Sequence, residues 1–376
     1  DGRFVAFVSS ASNLVTGDTN GMKDVFVHDR QSGETTCVSA VSEGTQANGH
    51  SSWPSISADG RYVAFISEAS NLVTGDTNGL KDVFVHDRQS DETTRISVAG
   101  DAFDAAVSIS ADGRYVAFES TASYLVEGDT NWNGDIFVHD RQTGETSRVS
   151  VASDGTQASG WSFRPSISAD GRYVTFESLA DNMVDDDTGL DDVFIHDRQT
   201  GETSRISVAL GGTQANHSSS LSSISEDGRY VAFESWASNL VAGDTNGSED
   251  IFVYDRQTDE ATRISVTSEG IQANGGSGYP SISADGRYVT FVSWASNLVA
   301  GGDANIEGSD IFVHDRQTGE TIRIPSSPAG FQQNNSSYDS SISANGRVIA
   351  FLSYADNLVV GDTNNFADVF VYENLG

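Results

Sequence analysis

The chain has 376 residues, 37% hydrophobic and 9% aromatic, which is enough to bury a large core and too apolar for a disordered segment. Its 21 Lys and Arg against 54 Asp and Glu give a net charge of −33, which repels nucleic-acid phosphates and anionic membrane surfaces and attracts cations. The single cysteine, Cys37, excludes an intrachain disulfide framework and a cysteine-based zinc site, and no apolar run of about 18 residues is present to insert into a membrane as a helix.

The phrase Asp/Asn-Gly-Arg recurs at Asp1, Asp59, Asp112, Asp170, Asp227, Asp285 and Asn345, in steps of 58, 53, 58, 57, 58 and 60 residues. Seven units at this period predict a propeller or a solenoid rather than separate domains. The first unit starts at Asp1 without a Ser-Ile-Ser strand before it. The second shows the whole pattern. Pro54–Ser57 reads as a short first strand, followed by a turn at Ala58-Asp59-Gly60. Arg61–Ser67, rich in β-branched and aromatic residues, reads as the second strand and Asp82–Asp87 as the third. A turn at Arg88–Asp91 leads to a fourth at Thr93–Val98. Later units spell that turn with Gly, as at Gln142-Thr143-Gly144. The seventh unit stops at Gly376, before its fourth strand.

No window keeps a 3.6-residue apolar period, so the prediction is an all-β chain with essentially no helix. Four short antiparallel strands per unit, seven times over, predict one seven-bladed β-propeller domain over 1–376, with incomplete first and last blades. A β-solenoid is the alternative, but its rungs are usually shorter than about 30 residues. The cut points suggest a chain that extends past both ends, and the start at Asp1 without Met is compatible with a removed leader.

Ser-Ile-Ser-Ala-Asp-Gly-Arg-Tyr-Val-Ala-Phe, followed by Asp-Val-Phe-Val-His-Asp-Arg-Gln, resembles the TolB-type, WD40-like β-propeller repeat of bacterial proteins along the whole chain. That family includes periplasmic scaffold proteins, propeller domains attached to peptidases, and polysaccharide lyases. The resemblance therefore implies a fold and a secreted, periplasmic or cell-surface setting, and leaves the function open.

Eighteen of the 21 basic residues fall at three repeated places: after Asp/Asn-Gly (Arg3, Arg61 and equivalents), at the end of the third strand (Arg30, Arg88 and equivalents) and in the fourth strand (Arg95, Arg148, Arg205, Arg263, Arg323). They are expected to pair with nearby Asp in each blade, which leaves no basic patch for nucleic acid. His28, His86, His139, His196 and His314 share one strand position with Tyr254 and Tyr372, so their expected role is structural.

The loop between second and third strands carries Asp-x-Asn-x-x-x-Asp: Asp18, Asn20, Asp24; Asp76, Asn78, Asp82; Asp129, Asn131, Asp135; Asp244, Asn246, Asp250; and Asp362, Asn364, Asp368. The sixth is one residue longer (Asp303, Asn305, Asp310), and the fourth keeps only Asp187 and Asp192. Oxygen ligands at positions 1, 3 and 7 are what a calcium loop supplies, so Ca²⁺ is the expected cofactor, one ion per blade loop. The loops are similar to those of integrin-type propellers, but two residues shorter. The competing reading is an Asx turn, in which these side chains bond their own backbone. Two carboxylates about 5 Å apart repel by roughly 1 kcal/mol or more, and only Lys23 and Lys81 lie near in sequence to offset this.

Recurring residues serve the fold, so a ligand site is expected where the units differ. Two residues before Ser-Ile-Ser stand Trp53, Ala106, Arg164, Leu221, Tyr279 and Asp339, expected at the mouth of the central channel. After the second strand, Trp236, Trp294 and Tyr354 could stack on a sugar or pack on a protein. Glu119, Glu177 and Glu234 share one strand position and read either as an acidic cluster or as a solvated strand end. Gln46, Gln157, Gln214 and Gln272 recur in the inter-blade loops and are expected to bond loop backbone. No nucleophile elbow, zinc-protease motif or phosphate loop is present. The sequence reads as a calcium-binding, secreted or cell-envelope propeller that binds protein or carbohydrate, without catalysis. The alternative is a polysaccharide-active lyase or glycosidase with its site at the channel mouth.

Overall fold

The computed structural model describes residues 1–41, 45–97, 106–302, 308–324 and 332–373, and they form strands, turns and no helix. The chain is a seven-bladed β-propeller. Five sheets have four strands in sequence order, as in Ser51–Ile56, Tyr62–Ser67, Asp82–Asp87 and Glu92–Arg95 of the second blade. The first and last sheets have three: Phe4–Ser9, Asp24–Asp29 and Glu34–Cys37, and Ser337–Ile342, Val348–Ser353 and Asp368–Glu373. Among the described residues the first blade thus lacks an inner strand and the seventh an outer one, as the motif register predicts.

The described residues group into two compact units, one holding Arg3–Gly189 and Phe194–Ser204, the other Leu190–Val193 and Arg205–Gly376 with Asp1–Gly2. In both, the core lies between consecutive blades. Ala64, Ile66, Val83 and Val85 of the second blade pack on Val107, Ile109, Val116 and Phe118 of the third. Ala232, Ile251 and Val253 of the fifth meet Ile282, Val289 and Phe291 of the sixth. A strand packed on both faces needs apolar residues without alternation, which is why Val63, Ala64, Phe65 and Ile66 are all buried. Cross-strand phenylalanines stack within each blade, as Phe65 on Phe84 at 5.8 Å.

The recurring Asp-Gly-Arg turn fastens one blade to the next. Gly113 has φ +72°, and a Cβ there would enter the ring of Tyr62 in the preceding blade. Tyr62 is held between the Arg61 and Arg141 guanidinium groups, 4.7 and 4.4 Å from its centroid. Arg141 also donates to Gly113 O at 2.6 Å. Arg114 forks onto Asp140 at 2.9 and 2.6 Å and holds that carboxyl well below the usual carboxylate range. The same fork recurs at Arg3–Asp29, Arg61–Asp87, Arg172–Asp197, Arg229–Asp255 and Arg287–Asp315, so these arginines are structural as expected. The repeated histidines are structural too: His196 Nδ1 lies 2.8 Å from Thr203 Oγ1. That hydroxyl donates to Val151 O at 2.5 Å, so it must accept from the imidazole, whose proton sits on Nδ1.

Candidate functional site

The acidic loops are built as predicted in sequence, but their charges are met differently. In the second blade Arg95 Nη1 lies 3.0 Å from Asp76 Oδ1 and 3.5 Å from Asp82 Oδ2, with both carboxylates buried. Arg148 stands 3.5 and 3.6 Å from Asp129 and Asp135, and Arg263 3.7 Å from each of Asp244 and Asp250. Arg205 and Arg323 approach Asp192 and Asp310 at 3.7 and 3.4 Å. The fourth-strand guanidinium therefore stands where a loop cation would. In the first blade Cys37 occupies that strand position, and its thiol is pushed up to about 11 by burial. Lys81 instead lies 3.6 Å from Glu68.

The asparagines do not present ligand oxygens. Asn78 Oδ1 accepts from Leu80 N at 2.9 Å, and its amide donates to Asp82 at 2.9 Å. The same Asx turn forms at Asn20, Asn131, Asn246 and Asn364. Gln272 completes the clasp, donating to both Asp244 and Asp250 at 2.8 Å and accepting from Thr245 N at 3.2 Å. Gln157 does likewise with Asp129, Asp135 and Thr130 N, and Gln46 donates to Asp18 and accepts from Thr19 N, so these glutamines bond the Asp side chains as well as the loop backbone. In the second, third and fifth blades, where the carbonyl oxygen of the Asn is spent on its own loop and a guanidinium stands beside both carboxylates, this arrangement does not fit Ca²⁺. Among the described residues no group of three or more His, Cys, Asp or Glu converges as a metal site would. In the fourth loop, Asp187 accepts from Gly189 N at 3.2 Å; Asp303 and Asn305 lie outside the described residues. Burial pushes the carboxyls of Asp82, Asp135 and Asp250 above their ordinary value.

The variable inner-strand position has a property that the sequence hides. Trp53, Arg164, Leu221, Tyr279 and Asp339 all have φ between 50 and 56°, the left-handed region. Each sits inside a β-bulge: the pairing of inner and second strands shifts between Ser52 and Ser55, Phe163 and Ser166, Ser220 and Ser223, Gly278 and Ser281, and Tyr338 and Ser341. A bulge re-aims the side chain it carries. Trp53 and Tyr279 are 53% and 47% exposed, and Asp339 is exposed as well. Asp339 is nonetheless raised by desolvation.

The strand glutamates are not solvated ends. Glu119 and Glu177 are buried. Arg164 Nη1 pairs with Glu177 Oε2 at 3.1 Å. Glu234 accepts from Ser220 Oγ at 2.9 Å and from Tyr279 N at 3.2 Å, which ties it to the bulge of the following blade.

Of the aromatic residues after the second strand, Trp236, Trp294 and Tyr354 are 47%, 43% and 49% exposed. Their backbone N–H groups donate to Ser218, Gly276 and Ser336, so they hold equivalent places in successive blades. His217 lies against Trp236 at 6.0 Å and Tyr338 edge-on to Tyr354 at 6.4 Å.

No protein-family model and no curated protein matches the chain. Solved structures do. An oligogalacturonate lyase in complex with manganese is similar over 99% of this chain and 86% of its own, at 12% identity and a TM-score of 0.58. The β-propeller domain of the Trilobed protease from Pyrococcus furiosus matches 86% of this chain and 82% of its own, at 10% identity and 0.52. TolB from Acinetobacter baumannii matches 86% of this chain and 63% of its own, at 16% identity and 0.49. At these identities the likeness is one of fold, and the propeller expected from the motifs is met at that level by the lyase and protease-domain structures.

Proposed function

We propose that the protein is a binding module of the cell envelope or exterior: its repeated residues hold the blades together, and its non-repeated residues take the ligand. The observation that carries this is the bulge position. Five large or charged side chains, no two alike, occupy a backbone conformation that costs a residue other than Gly of order 1 kcal/mol or more. Glycine would relieve that strain in each of these five blades, yet none of the five positions uses it. Side chains kept at a strained, solvent-reaching place where the repeats diverge fit recognition. The fork and clasp residues, which recur in several blades, fit support.

The test is a binding screen of neutral and acidic polysaccharides and of peptides, read for both retention and product release. Trp53→Ala, Tyr279→Ala and Asp339→Ala are expected to weaken retention at unchanged melting temperature, whereas Arg164→Ala also leaves the buried Glu177 without this partner and should lower the melting temperature as well. Turnover of a polysaccharide by the unaltered chain would make it an enzyme instead.

A further inference from the structure

We propose that blades five to seven carry a second site, a strip of aromatic rings that holds a neutral polysaccharide chain. The strip is continuous in its first half. Trp236 hydrogen-bonds Glu249, whose carboxyl is raised above its ordinary value by burial. Gly276 of the next blade has no side chain to fill the space between the Glu249 carboxylate and the Trp294 ring: a Cβ there would lie 3.4 Å from Glu249 Oε2 and 4.0 Å from Trp294 Cε3. In the seventh blade, Tyr354 and the 75%-exposed Phe366 flank a cavity of about 110 Å³, with Asn334, Asn335, Asp356 and Asn365 on its other walls. Flat exposed rings alternating with amide and carboxylate groups match the two faces of a sugar: C–H surface for stacking and hydroxyls for hydrogen bonds.

Charge selects the class. The chain carries −33, and the polar groups of the strip are Glu249, Asp356, Asp362 and amides. An anionic polysaccharide is repelled at long range. A protein partner would have to bury carboxylates, which interface cores avoid. A neutral chain meets neither cost.

The experiment is affinity electrophoresis through gels containing mixed-linkage β-glucan, galactomannan, dextran, polygalacturonate or chitosan. Binding to at least one of the three neutral polymers is expected, with little change on adding salt. Trp236→Ala and Trp294→Ala should each weaken it about fivefold, the worth of one stacked ring. The Trp236→Ala, Trp294→Ala, Tyr354→Ala triple variant should abolish it, and Trp132→Ala, an exposed aromatic outside both the strip and the bulge positions, should leave it unchanged. All four residues are exposed, so melting temperature serves as the control for folding. Failure to bind any neutral polymer overturns the proposal, as does a triple variant that binds like the unaltered chain. Retention only by chitosan, lost in salt, is charge attraction and overturns it too. Loss of binding on Trp53→Ala but not in the triple variant overturns the strip and leaves the bulge residues as the binding site.

Discussion

Arg95 lies 3.0 Å from Asp76, and that one contact changes what the acidic loop of the second blade is for. The guanidinium, 19% exposed, neutralises two carboxylates that are 3% and 0% exposed. Removing one partner of such a group leaves buried charge unpaired, at a cost of about 3 kcal/mol. Arg95→Ala should therefore lower the melting temperature sharply, and millimolar calcium should restore part of the loss at the vacated place. The unaltered chain should melt at the same temperature with or without chelator. A large chelator effect on the unaltered chain would overturn the arginine clasp. Cys37→Arg is the converse change and should stabilise the first blade by about 1 kcal/mol.

Gly113 and Gly144 both have positive φ, +72 and +77°, but different surroundings. Nothing lies within 4 Å of a Cβ built on Gly144, whereas one on Gly113 enters the Tyr62 ring. Gly144→Ala should cost about 1 kcal/mol, from backbone strain alone. Gly113→Ala should cost about 3 kcal/mol, because the ring is fixed between two guanidinium groups and cannot yield. Equal losses in denaturant titration would show that the turn does not join the blades.

Burial lowers His196 and His314 from 6.5 to about 4, and lowers His86 and His139 in the same direction. Between those values the unfolded chain binds the proton and the folded chain does not, so stability falls as pH drops from about 6.5 to about 4. The upper limit is about 3 kcal/mol for each of His196 and His314. The Arg-paired carboxylates, such as Asp87 and Asp140, are held below their ordinary value and lose their contribution only at more acid pH. The raised Asp82, Asp135 and Asp250 act in the opposite sense, gaining as pH falls. Replacing His196 and His314 by Tyr, the residue the fifth blade carries at Tyr254, should flatten the profile between pH 6.5 and 4. An unchanged profile would remove histidine as the cause.

At Tyr279, φ is 56°. Tyr279→Gly and Tyr279→Ala delete the same ring, but only Ala keeps the left-handed strain. The Gly variant should be the more stable by about 1 kcal/mol, and both should lose binding at the bulge. An Ala variant as stable as the Gly variant would mean the bulge relaxes in solution.

The sequence by itself determined the seven blades, their strand order, the two incomplete sheets and the structural role of the Asp-Gly-Arg arginines. Each follows from local patterning repeated at a fixed period, such as Tyr62–Ser67 and Asp82–Asp87. It also placed the variable residues just before the inner strand, which in the structure begins earlier, at Ser51 in the second blade, and so includes them. What only the tertiary structure decided was the chemistry of the loops and the posture of those variable residues. Arg95 is 19 residues from Asp76 in the chain and reaches it because the ladder sets Arg95 opposite Phe84, two residues beyond Asp82. Gln272 reaches Asp244 only because the inter-blade loop folds back over its own blade. The bulge at Tyr279 leaves no mark on composition, because Trp, Arg, Leu, Tyr and Asp share no preference for positive φ. Sequence period reports what each strand repeats; the partner of a charge depends on which strands the sheet brings side by side.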